Sequence, residues 1–263
     1  IASRRGEFCG MMAHLAGCHA TRAAALDSRG PLTLEKALRT HIISCATLGD
    51  EMKRLADGGA TCSCLPFGLH NTPDRLRATL QAEIDAVPGD VDTILLGYGM
   101  CGRGALGLRS ERCRLVIPKV DDCIALSLGS RAEHLRQIAR APGTFYLTKG
   151  WIESGDDPYT EYLKAAERYG HERAYRLEKR IMANYTRLAF INTGNGDMGE
   201  ARAYAQRVAD FFDMQFEEIE GSDVFLRKLV EGEWDQPEAR ATGDFVVVEA
   251  GETVDYAAFS ADR

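Results

Sequence analysis

The sequence has no long apolar segment, no cluster of basic residues and no pair of cysteines spaced as Cys-x-x-Cys. A membrane-spanning helix needs roughly 20 apolar residues, so we expect no membrane segment. The net charge is −7 and the Lys and Arg residues form no stripe, which argues against nucleic acid as a partner, because phosphate binding needs clustered cations. Internal repeats, a G-x-S-x-G nucleophile motif and a phosphate-binding P-loop are also missing.

The remaining composition is that of an ordinary folded protein. Hydrophobic residues make up 45% and charged residues 27% of the 263 positions, which is enough for one large α/β domain or two small ones. The chain contains eight cysteines. In a chain of this size with a full apolar core, cysteines are more often reduced, metal-bound or catalytic than disulfide-bonded. The sequence therefore predicts a cytoplasmic protein.

Residues 1–38 are rich in Ala, Gly, Arg and Ser and have little periodicity, which predicts an N-terminal extension. Leu15-Ala16-Gly17-Cys18 has the form of a lipoprotein cleavage box, but the apolar run before it is short and contains His14. Cys9 and Cys18, with His14 and His19, form a candidate metal-binding group, although a mobile extension is the simpler interpretation.

Short apolar runs alternate with amphipathic segments through the rest of the chain. The predicted strands are residues 41–45, 60–67, 91–96, 114–120, 143–148, 187–192, 216–219 and 245–249. The predicted helices are residues 48–55, 73–86, 124–128, 131–139, 157–185 with a break at Gly170, 199–214 and 223–230. This alternation predicts a Rossmann-like α/β fold, with a mostly parallel sheet flanked by helices. The helical region at 155–185 is the predicted seam between a first lobe, residues 39–155, and a second lobe, residues 156–263.

Four side chains that bind metals lie at or just after the carboxyl ends of predicted strands: Cys45, His70, Cys101 and Cys123. Ligands bind outside the carboxyl ends of parallel strands, so we expect these four side chains to converge. Three thiolates and one histidine suit zinc, whereas three thiolates with an open position suit an iron–sulfur cluster. Cys123 also begins a helix, and the positive end of the helix dipole should favour its thiolate.

The other cysteines of the folded region have a simpler interpretation. Cys62 and Cys64 are one residue apart on a predicted strand, which points both to the same face. For these two and for Cys113 we favour the role of small hydrophobic residues.

The third predicted strand runs into a loop in which Gly97, Gly99 and Gly102 fit G-x-G-x-x-G. Asp122 follows about 20 residues later, where a ribose-binding acid of a dinucleotide site would lie. Only about ten residues separate Gly102 from the next strand, which is short for the crossover helix that holds a pyrophosphate. A smaller anion, bound by the loop amides and Arg103, fits this loop better.

Further polar and aromatic residues at strand ends extend the predicted cofactor-binding wall. They are Lys119 at the end of the fourth strand, Trp151 after the fifth and Asn192 at the end of the sixth. Together they would give a pocket that is polar on one side and aromatic on the other.

Five segments in combination carry a family resemblance: residues 67–73 (FGLHNTP), 97–102 (GYGMCG), 115–118 (LVIP), 121–124 (DDCI) and 143–151 (GTFYLTKGW). With them, residues 40 to 250 resemble domain of unknown function family 1638 of bacteria and archaea. The matching positions are Cys45, His70, Cys101 and Cys123. The resemblance implies no settled activity, but it implies a place beside corrinoid-dependent methyltransferase systems. A three-cysteine cluster between Rossmann-like lobes is also similar in architecture to the subunits of 2-hydroxyacyl-CoA dehydratases, an analogy that does not fix function.

Three functional hypotheses follow. The first is a metalloprotein that binds an iron–sulfur cluster or zinc through Cys45, Cys101 and Cys123, with the fourth position open or filled by His70, and that acts in redox chemistry, cofactor handling or methyl transfer. The second is a non-metal enzyme in which Cys101 is the nucleophile or the glycine loop binds an anion, with Asp122 or His70 as the base. The third is an accessory subunit that binds a corrinoid or tetrapyrrole.

Overall fold

The computed structural model describes residues 39–236 and 243–260. The predicted N-terminal extension, with Cys9, Cys18, His14 and His19, lies outside the described residues. Within them the chain is a mixed α/β protein with a mostly parallel sheet flanked by helices, which confirms the predicted fold class. None of the described helices combines the length and the apolar character that crossing a lipid bilayer requires.

The strands form two sheets. They are β1 Thr40–Cys45, β2 Thr61–Leu65, β3 Thr93–Gly97, β4 Arg114–Pro118, β5 Thr144–Leu147, β6 Arg187–Asn192, β7 Gln215–Glu220 and β8 Phe245–Val248. The first sheet has the order β2-β1-β3-β4-β8 and the second has the order β5-β6-β7. All neighbours are parallel except β8, which is antiparallel to β4. Strands β1 and β3 are buried almost without interruption, as expected for parallel strands covered by helices on both faces.

Sheet membership does not follow the predicted seam. Strand β5 precedes that seam in the sequence but pairs with β6, and β8 follows it but returns to pair with β4. Val246 and Val248 of β8 are buried in the core of the first sheet. A run of apolar residues predicts a strand but does not specify its long-range partner.

Most of the described helices lie close to their predicted positions, whereas the short helices at residues 149–153 and 256–260 were not predicted. The helices are α1 Gly49–Ala56, α2 Pro73–Ala86, α3 Cys123–Ser127, α4 Arg131–Arg140, α5 Lys149–Glu153, α6 Pro158–Tyr169, α7 His171–Ile181, α8 Gly199–Phe212, α9 Val224–Val230 and α10 Tyr256–Ser260. Helix α2 buries the predicted stripe of Leu76, Leu80 and Ile84. Gly170, with φ of 80°, separates α6 from α7 because that backbone conformation ends a helix and suits glycine.

The strand order positions the candidate site. The chain passes from β1 outward to β2 and then crosses back to β3 on the other side of β1. In open parallel sheets, ligands bind in the crevice at such a reversal, outside the carboxyl ends of the strands. Strand β1 ends there at Cys45, and β3 enters the glycine loop there after Gly97.

Candidate functional site

A cavity of about 320 Å³ lies at the carboxyl edge of the first sheet, between that edge and α5. The residues that line it are Cys45, Pro66, Phe67, Leu69, His70, Tyr98, Cys101, Gly102, Asp121, Asp122, Cys123, Ile124 and Trp151. All four side chains predicted to bind a metal are among them. None of the lining residues is Lys or Arg, and most of the wall is aromatic or aliphatic.

Each thiol reaches the cavity from a different strand. Cys45 is the last residue of β1, Cys101 lies in the loop after β3, and Cys123 is the first residue of α3 after β4. Because β1, β3 and β4 are adjacent and parallel, their carboxyl ends lie side by side. Residues separated by more than 50 positions in the sequence therefore line one cavity.

The glycine loop is held against the connection between β4 and α3. The backbone N–H groups of Met100 and Cys101 donate hydrogen bonds to the carbonyl oxygens of Val120 and Asp121, at 2.8 and 2.9 Å. Gly99 permits this approach, since a Cβ at its position would lie 2.7 Å from the Val120 carbonyl oxygen. Cys101 has φ of 45°, in the left-handed region that side chains other than glycine rarely adopt. The loop thus holds the backbone of Cys101, which carries the thiol, in a strained conformation.

The structure gives little support to the dinucleotide alternative. Turns, and no helix, connect β3 to β4 over residues 98–113, so the loop has no helix N-terminus to hold a pyrophosphate. Several loop amides already donate to backbone carbonyl groups, including those of Gly104 and Leu106. The guanidinium of Arg103 lies over the ring of Tyr256, 5.7 Å from its centroid, and Arg103 does not line the cavity.

Burial dominates the electrostatics of the thiols. It raises the pKa of Cys101 to about 12, with further contributions from Cys45 and Asp122, while the Gly99 backbone N–H acts in the opposite direction. Burial also raises the pKa of Cys123 well above its ordinary value, and the charges of Cys101 and Cys45 add to that shift. The predicted preference of Cys123 for the thiolate through the helix dipole is therefore reversed, because α3 has only five residues and burial outweighs its dipole.

His70 follows β2 in a short 3₁₀ turn, Leu69–Asn71. Burial lowers its pKa, against the opposing charges of Asp156 and Asp122, so the neutral ring dominates at neutral pH. The ring packs edge-on against Phe67 and Trp151, with centroid distances of 5.1 and 6.4 Å. Neutral imidazole is the form that coordinates metals and accepts protons.

The sequence interpretation did not identify Tyr98, which lines the cavity and is only 4% exposed. Its hydroxyl group has no hydrogen-bond partner among the described residues. Burial raises the pKa of Tyr98 far above its ordinary value, and the charges of Cys45, Cys101, Cys64 and Cys123 add to this shift, so the phenol lies close to the thiols. The sequence signal that could have identified Tyr98 is its position between Gly97 and Gly99, because a large side chain in a glycine loop must pack into a neighbouring space.

Only some of the predicted cofactor-binding residues line the cavity. Gly102, Asp122 and Trp151 line the cavity. Asp122 also caps α3 by accepting a hydrogen bond of 3.0 Å from the Ile124 N–H, so its carboxylate has a structural role.

The remaining predicted residues lie elsewhere. Gly97 packs against Ser44, and Gly99 against Val120. Lys119 donates its backbone N–H to the Asp244 carbonyl oxygen, next to β8. Asn192 lies at the end of β6 in the second sheet, where it donates a hydrogen bond of 2.8 Å to Glu218.

The other cysteines differ from one another. Cys113 is buried and its thiol donates a hydrogen bond of 3.3 Å to the Val91 carbonyl oxygen, consistent with a structural role. Cys62 is half-buried, and Cys64 is exposed rather than a core residue. None of these three lines the cavity.

Within residues 39–236 and 243–260, no group of three or more His, Cys, Asp and Glu side chains is arranged closely enough to hold a metal ion. The three thiols and His70 share the cavity, but their atoms do not converge on a single point. A ligand that joins the thiols must therefore either span the gap between them or draw their side chains together.

Comparison with known proteins adds one match. A family model described as a protein of unknown function (DUF1638) matches residues 64–230. The match includes His70, Cys101 and Cys123, and it begins after Cys45. The comparisons with curated proteins and with solved structures found no match.

Proposed function

The chain belongs to the DUF1638 family, and we propose that it is a cytosolic metalloprotein that binds an iron–sulfur cluster through Cys45, Cys101 and Cys123. The observation that carries the proposal is that three thiols from three strand ends line one cavity at the reversal of strand order. These thiols also affect one another: Cys45 raises the pKa of Cys101, and both raise the pKa of Cys123.

The arrangement of the thiols suits a cluster better than a single ion. Zinc draws its ligands to about 2.0–2.3 Å from one point, and the side chains in the cavity are not arranged in that way. A cluster separates its thiolate ligands more widely than one ion does, because each thiolate binds a different iron atom. Zinc in a Cys3His site remains the second candidate, supported by the neutral ring of His70 in the same cavity.

The protonated thiols are compatible with metal binding. Thiolates are the ligand form, so loading the site requires loss of protons from Cys101 and Cys123, and the bound metal supplies the charge that stabilises their anions. Without that charge, burial keeps both thiols neutral. The raised pKa values disfavour the alternative in which Cys101 is a free nucleophile, because the thiolate is the reactive form.

Two polar groups of the cavity are suited to a neighbouring role. We assign to Tyr98 the donation of its hydroxyl hydrogen to a metal-bound thiolate, because that hydroxyl group has no partner among the described residues and Tyr98 lines the cavity together with the three cysteines. The Thr47 hydroxyl lies beside Cys123 and lowers its pKa, although its geometry falls short of a full hydrogen bond. Such donors orient the ligands and tune the metal.

Three cysteine ligands would leave one position of a four-iron cluster free for a small molecule. Phe67, Ile124 and Trp151 line the same cavity, together with His70, and none of its lining residues is Lys or Arg. Such a wall suits a neutral or positively charged ligand better than a phosphate or another anion. A bound cluster supplies redox and Lewis-acid chemistry, and the chain supplies the walls that exclude water.

The role of the site belongs to redox chemistry, cofactor handling or methyl transfer, with a corrinoid-dependent methyltransferase system as the partner. The cavity volume of about 320 Å³ argues against full enclosure of a corrinoid ring, which is far larger. An accessory role therefore requires that the corrinoid approach the mouth of the cavity while it remains bound to its own protein.

The test is an absorption spectrum of the anaerobically purified full chain, combined with iron, sulfide and zinc analysis. We expect broad visible absorption with about four iron and four sulfide per chain, the composition of a [4Fe–4S] cluster. One zinc per chain in a colourless sample would establish the second candidate instead. A sample with neither metal, which also fails to take up iron and sulfide on reconstitution, would reject both.

A further inference from the structure

A second cavity, of about 350 Å³, shares Phe67, His70 and Trp151 with the thiol cavity. Four carboxylates line it: Asp156, Asp157, Glu161 and Glu178. None of its lining residues is Lys or Arg. This second cavity is therefore acidic, whereas the first is lined by three thiols.

Three of the four carboxylates have partners. Asp157 caps α6 by accepting hydrogen bonds from the N–H groups of Tyr159 and Thr160, and it accepts another from the hydroxyl of Tyr204. Asp156 and Glu161 lie 3.7 and 2.6 Å from the ammonium nitrogen of Lys164. These contacts satisfy the three groups within the protein.

Glu178 differs from the other three. It is only 7% exposed, and in the part of the chain that the structure describes its carboxylate has no hydrogen bond or ion pair. Burial and the nearby charge of Glu161 raise the pKa of Glu178. A buried carboxylate without a partner is costly, and a cation from outside the chain would remove that cost.

Aromatic rings also line this second cavity. The ring of Phe145 lies 5.8 Å from that of Trp151 and 5.4 Å from that of Tyr185, measured between centroids. Tyr185 and Ile181, at 38% and 57% exposed, extend the apolar wall to the surface. Aromatic faces attract cations, and organic ammonium ions are the ligands for which proteins use such rings most often.

We propose that this cavity binds a small organic ammonium ion, with Glu178 as its counter-charge and the rings of Phe145, Trp151 and Tyr185 against its alkyl groups. A bare divalent metal ion fits less well, because Mg²⁺ and Ca²⁺ need several oxygen ligands and only one carboxylate here is without a partner. An anionic ligand also fits less well, because four of the lining residues are carboxylates and none is Lys or Arg. The inference does not depend on a metal in the thiol cavity.

The test uses choline as the probe and 3,3-dimethylbutan-1-ol as its neutral isostere. Calorimetric titration of the full chain, as purified and again after treatment with a chelator, should give saturable choline binding and at least about tenfold weaker binding of the isostere. Equal binding of the two compounds, or no saturable binding of choline, would overturn the proposal.

A matched pair of variants on α7 locates the charge. Glu178→Gln keeps the shape of the side chain and should weaken choline binding about tenfold or more. Glu172→Gln lies on the same helix, but Glu172 is 86% exposed and pairs with Arg176, so choline binding should be unchanged. If both variants bind choline as the unaltered chain does, Glu178 is not the counter-charge and the proposal is wrong.

Two further measurements guard against a folding defect. In the absence of choline, Glu178→Gln should melt at a higher temperature than the unaltered chain, because the substitution removes an unpaired buried charge. Tyr185→Leu changes an exposed ring and should weaken the binding of choline more than that of 3,3-dimethylbutan-1-ol. A lower melting temperature of the first variant, or equal effects of the second on both compounds, would contradict the assignment.

Discussion

The carboxyl edges of the two parallel sheets carry different chemistry. The edge of the first sheet forms a cavity lined by three thiols, and the buried hydroxyl of Tyr98 there has no hydrogen-bond partner within residues 39–236 and 243–260. The edge of the second sheet borders a larger cavity of about 500 Å³, in which Asn192 and Arg202 both donate to Glu218. The edge of a parallel sheet therefore marks where a site can form, and unsatisfied buried groups indicate which edge has one.

Loss of one thiol should have the largest effect, and that effect should be confined to the edge of the first sheet. Cys101→Ser removes a proposed cluster ligand, so the purified chain should contain little or no cluster. Cys64→Ser is the matched control, because Cys64 is exposed and does not line the cavity. Iron and sulfide analysis of both variants makes the comparison. Equal cluster content in the two variants would remove Cys101 from the proposed ligands.

A change in the wall between the sheets should have the next largest effect. A Cβ on Gly150 would overlap the carbonyl oxygen of Thr47, which follows β1, whereas Gly150 follows β5. We expect Gly150→Ala to cost about 1–3 kcal/mol of stability and to displace Trp151 from the cavity.

Gly199→Ala at the second edge is the control for that change. Its new methyl group would meet only the side chain of Asp197 at 3.2 Å, and alanine favours the helix that begins there. Chemical denaturation of both variants measures the difference. A Gly150→Ala protein as stable as the unaltered chain would mean that this contact yields without strain.

Removal of a single hydroxyl group should have a smaller effect on the first edge. Tyr98→Phe should preserve the fold, weaken cluster retention by about 10–100-fold and shift the reduction potential to more negative values, because a hydrogen bond to a thiolate stabilises the reduced state. Tyr146→Phe is the control, since the side chain of Tyr146 is also buried but lies in the core of the second sheet. Spectroelectrochemistry compares the two, and identical potentials would refute the role of Tyr98.

The smallest effect should appear at the second edge. Asn192 and Arg202 lower the pKa of Glu218 from its ordinary 4.5, so its contribution to stability is present above that pH and is lost as the pH falls through the lowered value. Glu218→Gln should cost at most about 1 kcal/mol at neutral pH and less in acid, because the pair is partly exposed. Melting temperatures at neutral and strongly acidic pH test this. A difference that grows in acid, or a loss of metal in the variant, would contradict the account.

Much of the fold could be predicted because the helices and strands have strong local patterns. Helix α2 and strand β6 occupy the predicted residues, since a proline start and a continuous buried run are local signals. The pairing of β5 and β8 could not be predicted in this way. The choice between two sheets depends on cores assembled from distant residues, such as the packing of Val246 and Val248.

The candidate site, too, could be predicted only in part. The rule that ligands bind at the carboxyl ends of parallel strands was enough to predict that one cavity is lined by Cys45, His70, Cys101 and Cys123. Tyr98 and the reversed preference of Cys123 needed the structure, because burial and the absence of a hydrogen-bond partner depend on three-dimensional packing. The glycine spacing also suggested a nucleotide motif, whereas Gly99 serves close packing of the loop against Val120.

The central claim is that three thiols from three strand ends bind one metal group together, and differential alkylation tests it most directly. The full chain is treated anaerobically with iodoacetamide in alkaline buffer before and after metal removal, and the alkylation rate of each cysteine is measured by mass spectrometry. We predict that Cys45, Cys101 and Cys123 do not react in the loaded chain. After metal removal all three should react measurably, but more slowly than exposed Cys64, because burial keeps Cys101 and Cys123 largely protonated; Cys64 should react at the same rate in both samples. Metal removal that leaves the reactivity of any of the three unchanged would contradict the claim.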